Sequence, residues 1–302
     1  MSWKKGIVTR FHSNMADVID TETKEKLSCV LRGKFKMQKI RPIVGDFVEY
    51  TTDESDTGKI ENILERKNIL YRPSIANIDQ IILVTTLKSP CVDNLIIDKF
   101  LIQAEKENMD VIIVVNKTDL LVTQEEKLIL ENFRAIYEDM YTVIPVCSKT
   151  GENIDKLKIF LKDKISTMAG MSGVGKSSLL NFVNPGLKLK VGDISDRLQR
   201  GKHTTTYSEL MQFDFGGFIA DTPGFANMEL INFNADKLKN FFPEFSYFGA
   251  YCAFSDCSHI HEPNCAVKDA VENDEISLSR YNNYKKIYSD LKTRNSGGKK
   301  YD

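Results

Sequence analysis

The segment Gly170-Met171-Ser172-Gly173-Val174-Gly175-Lys176-Ser177 decides how this chain is read. Two glycines with four residues between them, followed by Lys and Ser, make a phosphate-binding pattern. Glycines let the backbone turn tightly, so that its N–H groups converge on phosphate oxygens. Lys176 adds a mobile positive charge for terminal phosphates, and the Ser177 hydroxyl, with Ser178 beside it, is placed for magnesium. Residues 165–169 read as a short buried strand, and 176–183 as the helix whose N-terminus faces the anion. Strand, loop and helix in that order separate this pattern from a chance glycine-rich turn.

Upstream, residues 80–86 are almost wholly apolar, as a parallel strand buried on both faces requires. Residues 95–108 have helical spacing, 111–115 form a second buried strand, 124–139 a helix, 142–147 a strand and 154–164 a helix. The alternation predicts a three-layer α/β domain. Two of its strands end in informative loops. The first leads into Asn116-Lys117-Thr118-Asp119, where a carboxylate accepts hydrogen bonds from the N1–H and amino group of guanine. Adenine offers no such pair, and the mismatch leaves polar groups unpaired. The second leads into Cys147-Ser148-Lys149-Thr150-Gly151, whose backbone N–H groups are placed for the guanine carbonyl.

Downstream comes the polar segment Arg200-Gly201-Lys202-His203-Thr204-Thr205-Thr206, then strand-like 207–213 and 217–220, then Asp221-Thr222-Pro223-Gly224. Asp221 at a strand end holds magnesium through water, and the Gly224 N–H senses a γ-phosphate. A threonine of the preceding loop completes the metal shell; Thr204 and Thr205 both qualify, and Thr205 is taken with Ser177 and Asp221 as the magnesium set.

The two ends of the chain differ from this centre. Residues 6–11, 15–19, 26–31, 46–50 and 59–64 read as five short strands, which predicts a small barrel of the oligonucleotide-binding type over 1–70. Within it, Arg32, Lys34, Lys36, Lys39 and Arg41 surround Phe35 with no acidic residue between them. That run is either a solvated loop or a site for a nucleic-acid backbone with a base stacked on Phe35. Residues 68–77, with Arg72-Pro73, read as a linker into the central domain, 71–230. At the other end, 231–302, Cys252-x4-Cys257-x-His259-x5-Cys265 offers three thiols and an imidazole, a closed Cys3His set for one structural zinc. His261 is the rival fourth ligand. Tyr281, Tyr284, Tyr288 and Leu291 mark the core face of a mainly α region, and the basic tail from Lys292 reads as disordered. The remaining cysteines, Cys29, Cys91 and Cys147, read as small buried residues.

Composition sets the outer limits. With 302 residues, two or three domains are expected, and 42% apolar content supports real cores. A net charge of −1 gives no global pull toward nucleic acid, so such binding must come from local patches. No apolar run nears the ~20 residues that span a bilayer, and Met1-Ser2-Trp3-Lys4-Lys5 lacks the apolar core of a secretion signal. The expectation is a cytoplasmic monomer with no membrane partner.

In ordinary small GTPases the phosphate loop, switch threonine and Asp-x-x-Gly precede Asn-Lys-x-Asp and the Ser-containing loop. Here the last two come first, which is a circular permutation with its cut between Asp221-Thr222-Pro223-Gly224 and the strand at 80–86. The chain resembles the circularly permuted ribosome small subunit-dependent GTPase A family of bacteria. The likeness spans the barrel, Asn-Lys-Thr-Asp, Ser-Gly-Val-Gly-Lys-Ser, His-Thr-Thr-Thr, Asp-Thr-Pro-Gly and the Cys-Cys-His-Cys cluster; Met171 stands where the family most often has Gln. The resemblance implies an enzyme that hydrolyses GTP to GDP with magnesium, and that binds the 30S subunit and its 16S rRNA late in assembly, near the decoding region. Many GTPases place Gln after Asp-x-x-Gly to orient water, and Phe225 here has no hydrogen-bonding group. His203 is the internal candidate for that catalytic role beside Lys176, its alternatives being an exposed loop residue or an RNA contact. Two other functions remain open: a GTP-dependent RNA-binding placeholder, and a signalling switch with protein partners only.

Overall fold

The computed structural model describes residues 3–33, 35, 40–52, 57–71, 74–187, 209–220, 230 and 233–297. Five strands, β1 (Lys4–His12), β2 (Met15–Asp20), β3 (Lys26–Leu31), β4 (Phe47–Thr52) and β5 (Gly58–Ile63), close into a barrel of order β1-β2-β3-β5-β4. Val8, Val18, Cys29, Val48, Tyr50 and Ile60 fill it. The buried Tyr50 hydroxyl donates to the Asp20 carboxylate, so the polar atom it carries into the core is satisfied.

The expected linker is a packed hairpin. Strands β6 (Ile69–Tyr71) and β7 (Ser74–Ala76) pair antiparallel, and Ile75, fully buried, bridges to Val44 at the base of the barrel. The Asn77 amide donates to the Gly45 carbonyl at 2.9 Å, and Arg66 grips the buried Asp46 carboxylate at 2.6 and 2.8 Å. These are tertiary contacts, which the local sequence does not announce. Arg72-Pro73 lie outside the described residues.

Next come β8 (Gln80–Thr85), α1 (Asn94–Lys106), β9 (Asp110–Val115), α2 (Gln124–Tyr137), β10 (Thr142–Pro145), α3 (Ile154–Leu161), β11 (Ile165–Ala169), α4 (Lys176–Val183), β12 (Leu210–Gln212) and β13 (Phe218–Ala220). Among the described residues the strands form a six-stranded sheet of order β10-β9-β8-β11-β13-β12, parallel except for β12. Every residue of β8 and β11 is buried, which explains the apolar run 81–84, and the buried polar Gln80 of β8 donates to the Ser166 hydroxyl of β11 at 2.9 Å. Side-chain caps start α1 and α2: Asp93 accepts from the Leu95 N–H, and Thr123 with Glu126 forms a reciprocal capping box. The chain runs outward from β8 to β10, then returns to β11 on the other side of β8. Loops leaving β8 and β11 therefore diverge and open a crevice at the carboxyl edge, the usual ligand position in such sheets.

Helices α5 (Pro243–Gly249), α6 (Ala266–Glu272) and α7 (Leu278–Gly297) follow, with α7 packed on α1 and α5 on α6. Leu95 and Ile102 of α1 share one apolar cluster with Phe242, Phe245, Tyr284 and Ile287. Helix α7 runs on through Gly297, so the expectation of disorder from residue 292 does not hold that far. Lys292 pairs with Asp236 at 2.6 Å, and the Thr293 hydroxyl donates back to the Ser289 carbonyl.

One buried ion cluster fixes this helical region on the sheet domain. Arg280 of α7 is 1% exposed and donates to Asp98 of α1 at 2.7 Å and to both oxygens of Glu244 in α5 at 2.7 and 2.9 Å. Its guanidinium also lies over the Phe242 ring, 4.8 Å from the centroid. Asp98 further accepts from Asn283 at 2.6 Å and from the Tyr137 hydroxyl at 3.0 Å. Burial works against the Arg280 cation, and the charges of Asp98 and Glu244 outweigh it, raising its pKa. Removing one member of such a cluster strands the others without compensation. Arg280→Met should therefore lower unfolding free energy by about 3–5 kcal/mol in urea titrations; a loss under about 1 kcal/mol would mean that the cluster is not a structural tie.

Candidate functional site

Three loops meet at the carboxyl edge, after β9, β10 and β11. In the last of them Gly170, Gly173 and Gly175 have φ of 130°, 83° and 91°, conformations that L side chains rarely adopt. A Cβ at Gly170 would run into the Val84 carbonyl, and one at Gly175 into the Asn116 amide. Val174 is buried and anchors the loop, while Met171, Ser172 and Gly173 face solvent. Lys176 and Ser177 are buried in the first turn of α4, with Ser178 half-buried beside them. The Lys176 ammonium donates to the Gly170 and Met171 carbonyls at 2.8 and 2.7 Å, and burial pulls its pKa down to about 8.

Asn116 ties the loops together. Its Nδ2 donates to the Val174 carbonyl at 2.9 Å, and its Oδ1 accepts from the Ser148 N–H at 3.1 Å. Lys117, left-handed at φ 63°, donates to the carbonyls of Gly173 and Ser89 at 2.8 and 2.6 Å. Thr118 donates its hydroxyl to the Val146 carbonyl at 3.2 Å. Asp119 is exposed in the single 3-10 turn Thr118–Leu120 and accepts from the Cys147 thiol at 3.2 Å. Lys149 is exposed beside Ser148. The sequence-predicted residues 116–119, 147–149 and 170–178 thus line one mouth. The bracing itself was missed: Asn-Lys-Thr-Asp announces a carboxylate, whereas the cross-loop role of the Asn116 amide and the Ser89 carbonyl leaves no local signature.

His203, Thr204, Thr205, Asp221 and Gly224 lie outside the described residues, as do Lys34, Lys36 and Lys39. Of the other candidates for nucleic-acid contact, Arg32 pairs with Glu61 at 2.8 Å, and Arg41 lends its carbonyl to Arg66. Phe35 requires a correction. It is 5% exposed and packs into the barrel core with Val8, Val48 and Ile60, so its ring has no open face for a base. Its place in a basic run reflects a core residue in a polar segment. Cys91 also departs from expectation, being exposed.

The second site lies between α5 and α6. One ligand atom each from Cys252, Cys257, His259 and Cys265 fall within 4.8 Å of one another. The Cys252 and Cys265 sulfurs are 3.8 Å apart, and His259 Nδ1 is 3.5 and 3.4 Å from them. A tetrahedron with metal–sulfur and metal–nitrogen bonds of about 2.3 and 2.0 Å has edges of about 3.8 and 3.5 Å, so the spacing fits a metal such as zinc. Burial lowers the His259 pKa to about 4, leaving the neutral imidazole a ligand needs, and pushes Cys257 up to about 12. His261, the rival ligand, is exposed and outside the cluster. The turn that presents His259 is built by Glu262, whose carboxylate accepts from the N–H groups of Ser258, Ile260 and His261 at 2.8, 3.1 and 3.1 Å. Tyr281 and Tyr284 donate to the His259 and Ser258 carbonyls at 2.7 and 2.6 Å. The core tyrosines of α7 therefore also orient the ligand loop.

Two outcomes follow from this geometry. With nucleotide absent, the folded chain gives up the Lys176 proton near pH 8 and the unfolded chain near 10.5, so the unfolded state holds more protons between them. Stability gained from relief of this buried charge should rise across that window by up to about 3 kcal/mol relative to Lys176→Met. Parallel stability–pH curves for the two proteins would refute the burial of this charge. Protein purified without chelator should carry one zinc per chain, and Cys257→Ser should lose it and speed proteolysis across 241–291 while the sheet domain stays folded; elemental analysis finding no metal would contradict this.

The family model described as RsgA GTPase matches residues 63–231, and that of the RsgA N-terminal domain matches 5–60. The small ribosomal subunit biogenesis GTPase RsgA of Thermotoga petrophila is 53% identical over 288 residues, 95% of this chain and 97% of the relative. That of Agathobacter rectalis is 40% identical, covering 88% of each. Among solved structures, YjeQ from Thermotoga maritima is 49% identical with a TM-score of 0.85, covering 96% of this chain and 99% of that one. YloQ, a circularly permuted GTPase, is 32% identical with a TM-score of 0.81, covering 97% and 96%. With a family model matched over more than half of its length and these relatives covering nearly all of it, the chain belongs to the RsgA GTPase family and is a GTP hydrolase.

Proposed function

We propose that this GTPase acts in late maturation of the small ribosomal subunit, and that binding the 30S particle and its 16S rRNA stimulates hydrolysis of GTP to GDP. The observation that carries the proposal is the joining of a guanine-type loop and a phosphate loop through Asn116, in a chain more than half identical to a small ribosomal subunit biogenesis GTPase. In this reading the triphosphate lies along 170–178 with Lys176 against its terminal phosphates. Asp119 takes the guanine edge, and the amides of 147–149 lie near its carbonyl. Ser177, Thr205 and Asp221 hold magnesium. The four-ligand cluster holds zinc as a structural ion.

The chain divides at 1–70, 71–230 and 231–302 into barrel, GTPase and zinc domains. It works as a monomer in the cytoplasm, and among the described residues no helix is long and apolar enough to cross a membrane. The barrel is not held by its hairpin alone. Arg10 of β1 forms a β-bridge with Glu209 and an ion pair with it at 2.6 Å, and Glu209 is four residues past Thr205 in the chain. That link favours a coupling between nucleotide state and the barrel's grip on RNA.

Phe225 cannot orient water, so intrinsic turnover is slow and the subunit supplies part of the transition-state stabilisation, with His203 ordered to hold the nucleophile. Steady-state GTP turnover with and without purified 30S particles tests this. Stimulation on the order of tenfold or more is expected, and His203→Ala should lose it while still co-sedimenting with the subunit. Equal rates with and without 30S would overturn the proposal. Full stimulation of His203→Ala would remove only the role of His203.

A further inference from the structure

The loop between β8 and α1 carries none of the nucleotide motifs, yet it grips the turn Thr118–Leu120 at both ends. That turn is three residues long, closed by the Leu120 N–H on the Lys117 carbonyl at 3.1 Å and the Leu121 N–H on the Thr118 carbonyl at 3.0 Å. So short an element gives its residues little rigidity of their own. Before the turn, Lys117 reaches over to the Ser89 carbonyl at 2.6 Å. After it, Lys88 reaches back: its Nζ donates to the Leu120 carbonyl at 3.1 Å, an end carbonyl of the kind a helical turn leaves without an internal partner. Lys88 also pairs with Glu126 Oε1. The other Glu126 oxygen accepts from the Val122 and Thr123 N–H groups at 2.7 and 3.1 Å, which anchors the pair in the capping box of α2. The hydrogen bond from Lys88 leads the causes that pull the Glu126 pKa down to about 2, so this carboxylate is charged at neutral pH. The gripping loop is itself tied, with the Thr86 hydroxyl on the Pro90 carbonyl at 2.6 Å and the Val92 N–H on the Thr86 carbonyl at 3.1 Å.

We propose that Lys88 is a positioning residue for guanine recognition: through the Leu120 carbonyl and Glu126 it locks the turn that carries Asp119 to the loop after β8. The inference rests on the reading of Asp119 given above and goes beyond it, since Lys88 lies outside every nucleotide motif of the chain. A carboxylate that has to meet two donors on a planar ring loses discrimination when the backbone beneath it shifts. The Lys88 side chain is 46% exposed, so salt screens the lock. That gives it a signature that neutral hydrogen bonds and apolar packing lack: the preference for guanine falls as ionic strength rises.

The test measures dissociation constants for GDP and for IDP, which lacks the 2-amino group, at about 50 mM and about 1 M NaCl, where the screening length shrinks to about 3 Å. The full-length parent is compared with Lys88→Met, Lys88→Arg, Asp119→Ala and the Lys88→Met/Asp119→Ala double variant. The ratio of the two constants cancels the screening of the phosphates, which both nucleotides share. At low salt Lys88→Met should weaken GDP about three- to tenfold, the range of one exposed charge-assisted contact, and IDP less, so the ratio shrinks. Raising the salt should bring the parent's ratio toward that of Lys88→Met, whose own ratio stays flat. Lys88→Arg, which keeps a cation and its donors, should recover most of the preference. In the Asp119→Ala background the Lys88 change should leave the ratio where it is, because the carboxylate it serves is gone. An unchanged ratio in Lys88→Met, a ratio in the parent that ignores salt, or equal losses in both backgrounds would overturn the inference and leave Lys88 a surface residue. If Asp119→Ala itself keeps the parent's ratio, the reading of Asp119 fails instead, so the two failures are distinguishable.

Discussion

The site depends on one buried side-chain amide. Asn116 is 2% exposed and has both ends engaged, its Nδ2 on the phosphate loop and its Oδ1 on the loop after β10. A buried amide of this kind is tolerated only when its donors and acceptors are met, so the three loops must hold their spacing for the fold to accept it. The same requirement places the phosphate loop and the guanine-type carboxylate in one mouth. Lys117 adds a second stitch, from Gly173 to Ser89, that works in the same direction. The phosphate loop and the loop that carries Asp119 are thereby made parts of one edge, and β11, which leads into the phosphate loop, is buried along its whole length.

Permutation decides what this edge is joined to. In this order of elements the barrel enters through the β6–β7 hairpin, and the helical region follows the last strand of the sheet. Neither attachment is loose. Asp46, Arg66 and Asn77 pack the hairpin under the barrel, and Arg280 pins α7 and α5 to α1. The contrast between the two ends is instructive. The helical region is tied by a buried, fully paired ion cluster, whereas the barrel reaches the far edge of the sheet through the more exposed Arg10–Glu209 pair. A solvent-screened pair contributes little free energy, so the two ends of the chain are tied to the sheet with unequal strength.

Much of this was legible because the deciding signals are local. Glycine spacing, the apolar run of β8, the strand pattern of the barrel and the Cys3His spacing each express a constraint that acts within a few residues. What escaped was set by tertiary contact. Residues 68–77 read as a linker and become a hairpin because Val44 and Gly45 lie against it. Phe35 looks like a stacking aromatic among cations and is core because the barrel end needs its volume. Likewise the choice of His259 over His261 is made by Glu262 and two tyrosines of α7, partners up to 22 residues away for His259 itself. In the phosphate mouth, residue identities were readable but their mutual bracing was not, since Asn116, Ser148 and Val174 meet only through the sheet.

The central claim is that guanine nucleotide binds across the edge that Asn116 holds together. Amide hydrogen exchange of the intact chain, with and without saturating GDP and magnesium, addresses it directly. The account predicts slowed exchange at 172–178 and at 147–149, with no comparable change in the barrel strands. Protection absent from both loops at saturation, or confined to residues away from this edge, would contradict it.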